Sequence, residues 1–233
     1  MTRTIDLNAD LGEGCPWDRP LLERVTSASL ACGAHAGDPE TIRQTLRWAG
    51  NRGVVVGAHP GYPDRAGFGR SEKTIPTEEL TLLIERQIRD LSGWAGDEEL
   101  SLQFLKPHGA LYNQAQRDRS VAEAVMDAAR TFGLPVLGLP GGEVERLAIE
   151  RGHSFLSEGF ADRRYQPDGR LVPRTEPNAL LHEPDEIRAQ VLYLLDRGIR
   201  TICIHGDDPR SVELADLVLS TLRDAGIEPR SFA

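Results

Sequence analysis

A chain of 233 residues, 39% of them hydrophobic and 27% charged, is long enough for one large α/β domain or two small ones. Its formal charge of −9 argues against nucleic acid or an anionic membrane as the main partner, and no apolar run approaches the ~18 residues of a membrane span. The three cysteines are odd in number and lack a C-x-x-C pair, which fits a reduced, cytoplasmic setting, and the opening MTRTIDLNAD turns polar too early for a signal peptide.

The first predicted strand is Ile5 to Asp10. Ile5, Leu7 and Ala9 alternate with Asp6, Asn8 and Asp10, so an internal strand would aim three polar groups inward, a costly arrangement unless they pair or serve a site. Asp10, nearest the strand end, is the strongest site candidate, and Glu13 follows in the Gly-rich turn LGEG. Ala28 to Gly33 reads as the second strand, with His35 just beyond it. Asp38-Pro39 then has the form of an N-cap with proline at the first helical position. That helix carries Ile42, Leu46 and Ala49 on one stripe to about Arg52, and Gly53 closes it.

Val54 to His59 is the third strand. Its three successive valines suit a strand buried on both faces, and the ten residues after His59 include Pro60, Gly61, Pro63, Gly67 and Gly69. Thr77 is expected to cap a long helix bearing Leu80, Ile84, Ile88 and Leu91. Leu102 to His108 is the fourth predicted strand, placing Lys106 and His108 on one face. A lysine inside an apolar strand is uncommon, and it either snorkels to solvent at the barrel rim or holds an anionic substrate. A helix marked by Val121, Val125, Ala128 and Phe132 ends at Gly133. Val136 to Leu139 is strand five, followed by a PGGE loop and a helix from Val144 to Arg151. Ser154 to Ala161, with Glu158 at its centre, is strand six. FADRRYQPDGRLVPR is a long polar segment with four arginines, the form of a binding loop. A helix spans Pro184 to Asp196, Thr201 to Asp207 is strand seven, and Asp208-Pro209 opens the last helix, which Gly226 stops.

Seven strands alternating with helices define an α/β protein with a parallel sheet, and nothing marks a domain boundary between residues 1 and 233. The special residues sit after strands one, two, three, four and seven rather than at one switch point, which favours a closed or nearly closed seven-stranded β/α barrel over an open sheet. His35, His59, His108 and His205 each follow a strand, so at least two should line one site. His153 and His182 lie at other positions and are expected on the surface. Cys32 and Cys203 read as buried thiols rather than nucleophiles. A divalent cation held by Asp10, His59 and His108 and a metal-free proton-transfer site both remain open. Neither G-x-x-x-x-G-K-[ST] nor G-x-G-x-x-G occurs, so no nucleotide cradle is recognisable.

Taken together, DLNADLGEG, ACGAHAGDP, GAHPGYPDRAGFGR, KPHGALYN, FADRRYQPDGRLVPR and CIHGDDP, in this order, resemble the LamB/YcsF family over nearly the whole chain. The resemblance implies a barrel like that of the glycoside hydrolase/deacetylase superfamily. It also implies ATP-dependent opening of 5-oxoproline to glutamate in a complex with two partner subunits, which would supply some or all of the ATP site; a homo-oligomer is compatible with it. On this reading Asp10 and His59 are the base and its partner, with Lys106 and His108 beside them. Lys106 and Arg163 contact anionic groups, and Asn8, Glu13, His35, His205 and Asp207 complete the substrate site. Two departures stand out: only CPWDRP separates Gly14 from Leu21, where the family carries a longer segment, and DRGIRT runs straight into the last strand without the family's insertion. Deacetylases of the superfamily place two adjacent acids on the first strand, whereas Leu11 follows Asp10 here, which weakens the case for a metal. A stand-alone metal-dependent deacetylase and a non-catalytic subunit binding a small acid are the alternatives.

Overall fold

Short apolar strands followed by amphipathic helices bury both faces of a parallel sheet, and that repeat sets the architecture. The computed structural model describes residues 3–233. Its elements run β1 (Arg3–Leu11), α1 (Asp18–Leu22), β2 (Ser27–Ala31), α2 (Pro39–Arg52), β3 (Val55–His59), α3 (Thr77–Asp97), α4 (Gly109–Ala115), α5 (Arg119–Phe132), β4 (Val136–Gly138), α6 (Glu143–Arg151), β5 (Phe155–Phe160), α7 (Pro184–Asp196), β6 (Thr201–His205), α8 (Ser211–Asp224) and β7 (Ile227–Pro229). No helix among the described residues is long and apolar enough to cross a membrane.

The sheet is parallel, with strand order β3-β2-β1-β6-β5-β4, and it curls. Its two ends approach each other through Leu105, which bridges Ala58 of β3 and Val136 of β4. Lys106 N–H donates to the Ala58 carbonyl and Leu137 N–H to the Leu105 carbonyl, both at 2.9 Å. The predicted fourth strand, Leu102 to His108, is thus reduced to one bridging residue. Pro107 has no N–H to continue a ladder, and the chain turns into α4 two residues later. A short strand absent from the sequence reading, β7, pairs with Arg3–Ile5 at the start of β1.

Several boundaries also move. β6 stops at His205, so Asp207 lies in the turn beyond it rather than on the strand. The last helix begins at Ser211, and Asp208 accepts the Arg210 N–H in the turn before it. Thr77 is the first residue of α3, not its cap. Asp38 does cap α2, accepting from Glu40 and Thr41 N–H, and Gly53 closes that helix with φ 65°. The short helices α1 and α4 have too few turns to show a periodicity.

One apolar core runs from Ile5 to Ile227 between the outer faces of the strands and the helical layer. Inside the curl the lining is polar: Asp6, Asn8, Asp10, Ser27, Ser29, Lys106, Glu158 and Thr201 are all buried. Asp6 is held as a structural group, accepting from Thr26 Oγ1 (2.7 Å), Ser27 Oγ (2.8 Å) and Thr201 Oγ1 (2.5 Å). Phe104, Leu137 and Leu156 close the interior toward the N-terminal ends of the strands, where Phe232 packs on Phe104.

Candidate active site

The C-terminal ends of the strands open into a cavity of about 490 Å³. Asp10, His59, Lys106 and His108 line it, as do Tyr112, Leu139, Phe160 and Leu171, with His205, Arg70, Arg163 and Arg174 among the remaining lining groups. A crevice at this end of a parallel sheet is where helix-covered α/β proteins keep their chemistry.

Lys106 organises the floor. It is 1% exposed, and its ammonium contacts Asp10 Oδ1 (2.8 Å), Glu158 Oε1 (2.8 Å), Cys203 Sγ (2.9 Å) and Asn8 Oδ1 (3.3 Å). It therefore does not snorkel to solvent. Burial would push its pKa down, but Asp10, Cys203 and Glu158 outweigh burial and hold it well above the usual lysine value. For Asp10 burial acts upward, and the nearby His59, Lys106 and His205 bring the net shift well below the ordinary carboxylate range. Because His59 is itself driven neutral, the cation that matters for Asp10 at neutral pH is Lys106. Glu158 moves the other way: burial raises its pKa more than Lys106 lowers it. One lysine cannot balance every buried acid, so Asp10 keeps the charge and Glu158 tends to keep its proton.

Above the floor, Glu13, His35, His59 and His108 come together, all buried. His59 Nδ1 lies 2.8 Å from the Lys106 carbonyl and His108 Nε2 2.8 Å from the Phe68 carbonyl. A carbonyl only accepts, so each of these nitrogens carries the proton. In the neutral rings His59 Nε2 and His108 Nδ1 are then bare, and they face each other at 3.0 Å. Two lone pairs at that distance repel unless a proton or a cation lies between them. Glu13 Oε1, 3.3 Å from His108 Nδ1, can supply the proton. Burial, reinforced by Asp10 and Asp207, holds the Glu13 carboxyl well above its ordinary pKa, whereas burial pushes His59 down to about 4, His35 to about 3 and His108 well below 6.5. The arrangement is a buried acid–base cluster with bare imidazole nitrogens at a cavity wall.

The same cluster offers metal donors. Its four ligand atoms lie within 4.8 Å of one another. The 3.0 and 3.3 Å separations from His108 Nδ1 to His59 Nε2 and Glu13 Oε1 match the roughly 3.3 Å edge of a tetrahedral site with bonds of 2.0–2.1 Å, whereas the 4.0 Å from Glu13 Oε1 to His59 Nε2 is wider than that edge. His35 fits less well. Its ring stacks on His108 at 3.7 Å and 3°, so one ion cannot lie in both ring planes. His35 Nε2 sits 3.1 Å from Glu13 Oε1, where its proton holds the carboxyl. The set that fits is Glu13, His59 and His108, with Glu13 in the place expected for Asp10, whose Oδ1 is committed to Lys106.

The Gly-rich loop after β3 wraps these rings. A Cβ on Gly61 would stand 2.7 Å from His35 Nδ1, and one on Gly69 2.9 Å from His108 Cδ2. Gly69 also has φ 65°, so a side chain there would be strained as well as crowded.

Arg163 is 3% exposed and lines the cavity. Nη2 donates to the Val172 carbonyl at 2.5 Å, and Nε has no partner. Burial, then Arg174, lowers it to about 10. A buried guanidinium beside a cavity, with no carboxylate partner among the described residues, can receive an anion. Asp207 instead pairs with Arg70 and Arg174 at the rim. His205 Nδ1 contacts Asp162 at 2.7 Å, and its ring stacks on Phe160.

The candidates from the sequence therefore separate by role. Asp10, His59, Lys106, His108, Arg163 and His205 line the cavity; Glu13 and His35 stand behind the imidazoles. Asn8 does not reach the cavity and supports the floor, donating to Thr201 Oγ1 (2.7 Å) and Glu158 Oε1 (3.2 Å). Sequence reasoning missed Tyr112, Glu158, Asp162 and Arg70 as site residues. An acid in the middle of an apolar strand was the signal for Glu158, and an acid just past that strand's end the signal for Asp162. His153 is only half-buried and faces the Leu134 carbonyl, and His182 is exposed.

Fold and cavity define a curled parallel α/β protein with a buried acid–base site at its C-terminal mouth. The chain belongs to the LamB/YcsF family, whose model matches residues 5–233. It is 45% identical to a 5-oxoprolinase subunit of Methylococcus capsulatus, covering 97% of this chain and 95% of that one. The crystal structure of the lactam utilization protein from Thermus thermophilus matches with a TM-score of 0.90 and 39% identity, covering 98% of this chain and 100% of the other. A family 4 carbohydrate esterase from Streptomyces lividans shares the fold alone, with a TM-score of 0.59 at 12% identity over 99% and 93% of the two chains.

Proposed function

We propose that this chain is the lactam-opening subunit of a 5-oxoprolinase, a hydrolase converting 5-oxoproline to L-glutamate with hydrolysis of ATP to ADP and phosphate. The observation that carries the reading is one cavity holding both bare imidazole nitrogens and the unpaired Arg163 guanidinium. The Arg163 guanidinium takes the substrate carboxylate. The His59–His108 pair accepts a proton from the attacking water, and Asp10 stabilises the positive charge this creates: His59 Nε2 is 3.6 Å from Asp10 Oδ2. An unstrained lactam is a poor electrophile, so activation of its oxygen at the expense of ATP precedes attack. The chain has no P-loop or dinucleotide motif, which supports an ATP site made in part or wholly by two partner subunits in a cytoplasmic complex. The curl is read as a seven-membered barrel of the glycoside hydrolase/deacetylase kind, with the segment around Leu105 as its fourth stave. Should the site be metallated, Glu13, His59 and His108 would hold the ion, which would supply Lewis-acid activation of water.

The test is glutamate release from 5-oxoproline by the assembled complex, with and without ATP and with and without the partner subunits. Asp10→Asn in that complex is expected to lower kcat at least about 100-fold; unchanged turnover removes Asp10 from the mechanism. Acetate release from an acetylated sugar by the chain alone, dependent on a stoichiometric metal, would replace the proposal with the deacetylase reading.

A further inference from the structure

Breaking an amide C–N bond needs a proton on the departing nitrogen, and the charged groups of the site are not free to give it. Lys106 is tied to several acceptors, His59 and His108 are needed as acceptors, and Arg70 and Arg174 are paired with Asp207. Tyr112, on α4 four residues after His108, is different. It is 3% exposed, and its hydroxyl is buried with no well-formed hydrogen bond among the described residues, only the loose approach of Glu158. It lies beside the Glu158 carboxyl, whose Oε2 is also unpartnered. An unsatisfied buried hydroxyl costs stability, so its presence calls for an explanation, and service to a ligand is one. Tyr112 faces the cavity together with Leu139, Phe160 and Leu171, and it alone of these four carries a hydroxyl. The imidazoles and Asp10 line the same cavity, and the apolar cluster reaches them through Phe160, whose ring lies 5.1 Å from Lys106 Nζ.

This geometry sets how a small ring would lie. A ring placed with its carbonyl carbon toward the imidazoles and its methylenes against Leu139, Phe160 and Leu171 would carry its nitrogen toward Tyr112. We propose that Tyr112 is a further catalytic residue, the proton donor to the lactam nitrogen; this rests on the lactam-opening reading above. Water oxygen bonds to the carbonyl carbon, and its proton passes to the His59–His108 pair. The C–N bond breaks, its electron pair goes to nitrogen, and the Tyr112 O–H proton follows. The C–N cleavage leaves an acyl phosphate on the activated carbonyl oxygen, which a second water hydrolyses to carboxylate and phosphate. The phenolate regains a proton from water in the cavity and the imidazole pair releases its proton to solvent, so each turnover consumes two waters and leaves the chain unchanged.

The experiment is Tyr112→Phe in the assembled complex, with glutamate release and the melting temperature of the variant chain measured side by side. A proton donor predicts kcat down roughly 10²–10⁴-fold with KM within about threefold. Removing an unpartnered buried hydroxyl predicts a Tm unchanged or raised by a few degrees. A kcat within tenfold of wild type, a rise in KM alone, or a loss of rate matched by a Tm lowered more than about 4 °C would each overturn the assignment. Wild-type complex that releases no glutamate would instead refute the lactam-opening reading itself.

Discussion

Replacing Lys106 by methionine tests the floor of the site most directly. The side chain is 1% exposed and forms 2.8 Å contacts to both Asp10 and Glu158. Methionine keeps the volume and removes the charge. Breaking a buried ion pair by removing one partner costs about 3–5 kcal/mol, because the remaining charge is left uncompensated. For a chain of this size each kcal/mol moves Tm by about 2–4 °C, so the expected fall at pH 7.5 is roughly 6–20 °C. The pH dependence carries the diagnosis. In the wild type Asp10 is held below its ordinary pKa of 3.8, so its stabilising contribution is complete above that value and is lost as pH falls below it. In the variant burial acts on Asp10 without its fixed counter-ion and raises its pKa, so ionisation then destabilises the fold as pH rises from about 4 toward neutrality. The Tm difference between the two proteins must therefore widen from pH 4.5 to pH 7.5. Thermal melts across that range measure it. A difference below about 3 °C at pH 7.5, or one constant across the range, would refute the claim that Lys106 neutralises this floor.

Four more outcomes follow from the geometry. His59 is held at about 4 rather than 6.5, so the acid limb of kcat/KM should lie near pH 4, with activity lost as pH falls through it; a limb at 6–7 in the complex would contradict the neutral imidazole pair. The same shift makes stability rise with pH between about 4 and 6.5, since the unfolded chain binds the extra proton there. A Cβ at Gly206 would stand 2.2 Å from the Asp10 carbonyl oxygen, so Gly206→Ala should displace the β1 and β6 ends and cut kcat at least about tenfold; wild-type kinetics would show that those ends tolerate movement. If Glu13, His59 and His108 are metal ligands, zinc titrated into the chain should bind one per chain, and Glu13→Gln should weaken it at least about tenfold while Asp10→Asn does not; the reverse order would return Asp10 to the ligand set.

The sequence by itself determined the alternation of strands and helices, because hydrophobic period, Asp38-Pro39 at a helix start and glycines at helix ends are local signals. It also determined that four histidines follow strand ends, since that needs only the order of residues. Where those ends meet is a long-range matter. His59 and His108 touch because β3 and the segment around Leu105 are neighbours in the curl, and His205 stands apart with Asp162 because β6 lies on the other side of β1. The near-loss of the fourth strand turns on Pro107 and on how the two sheet ends close. Tertiary structure alone placed Glu13 against His108 while Asp10, 3.6 Å from His59, is claimed by a lysine 96 residues away; no local pattern records which buried acid meets which cation.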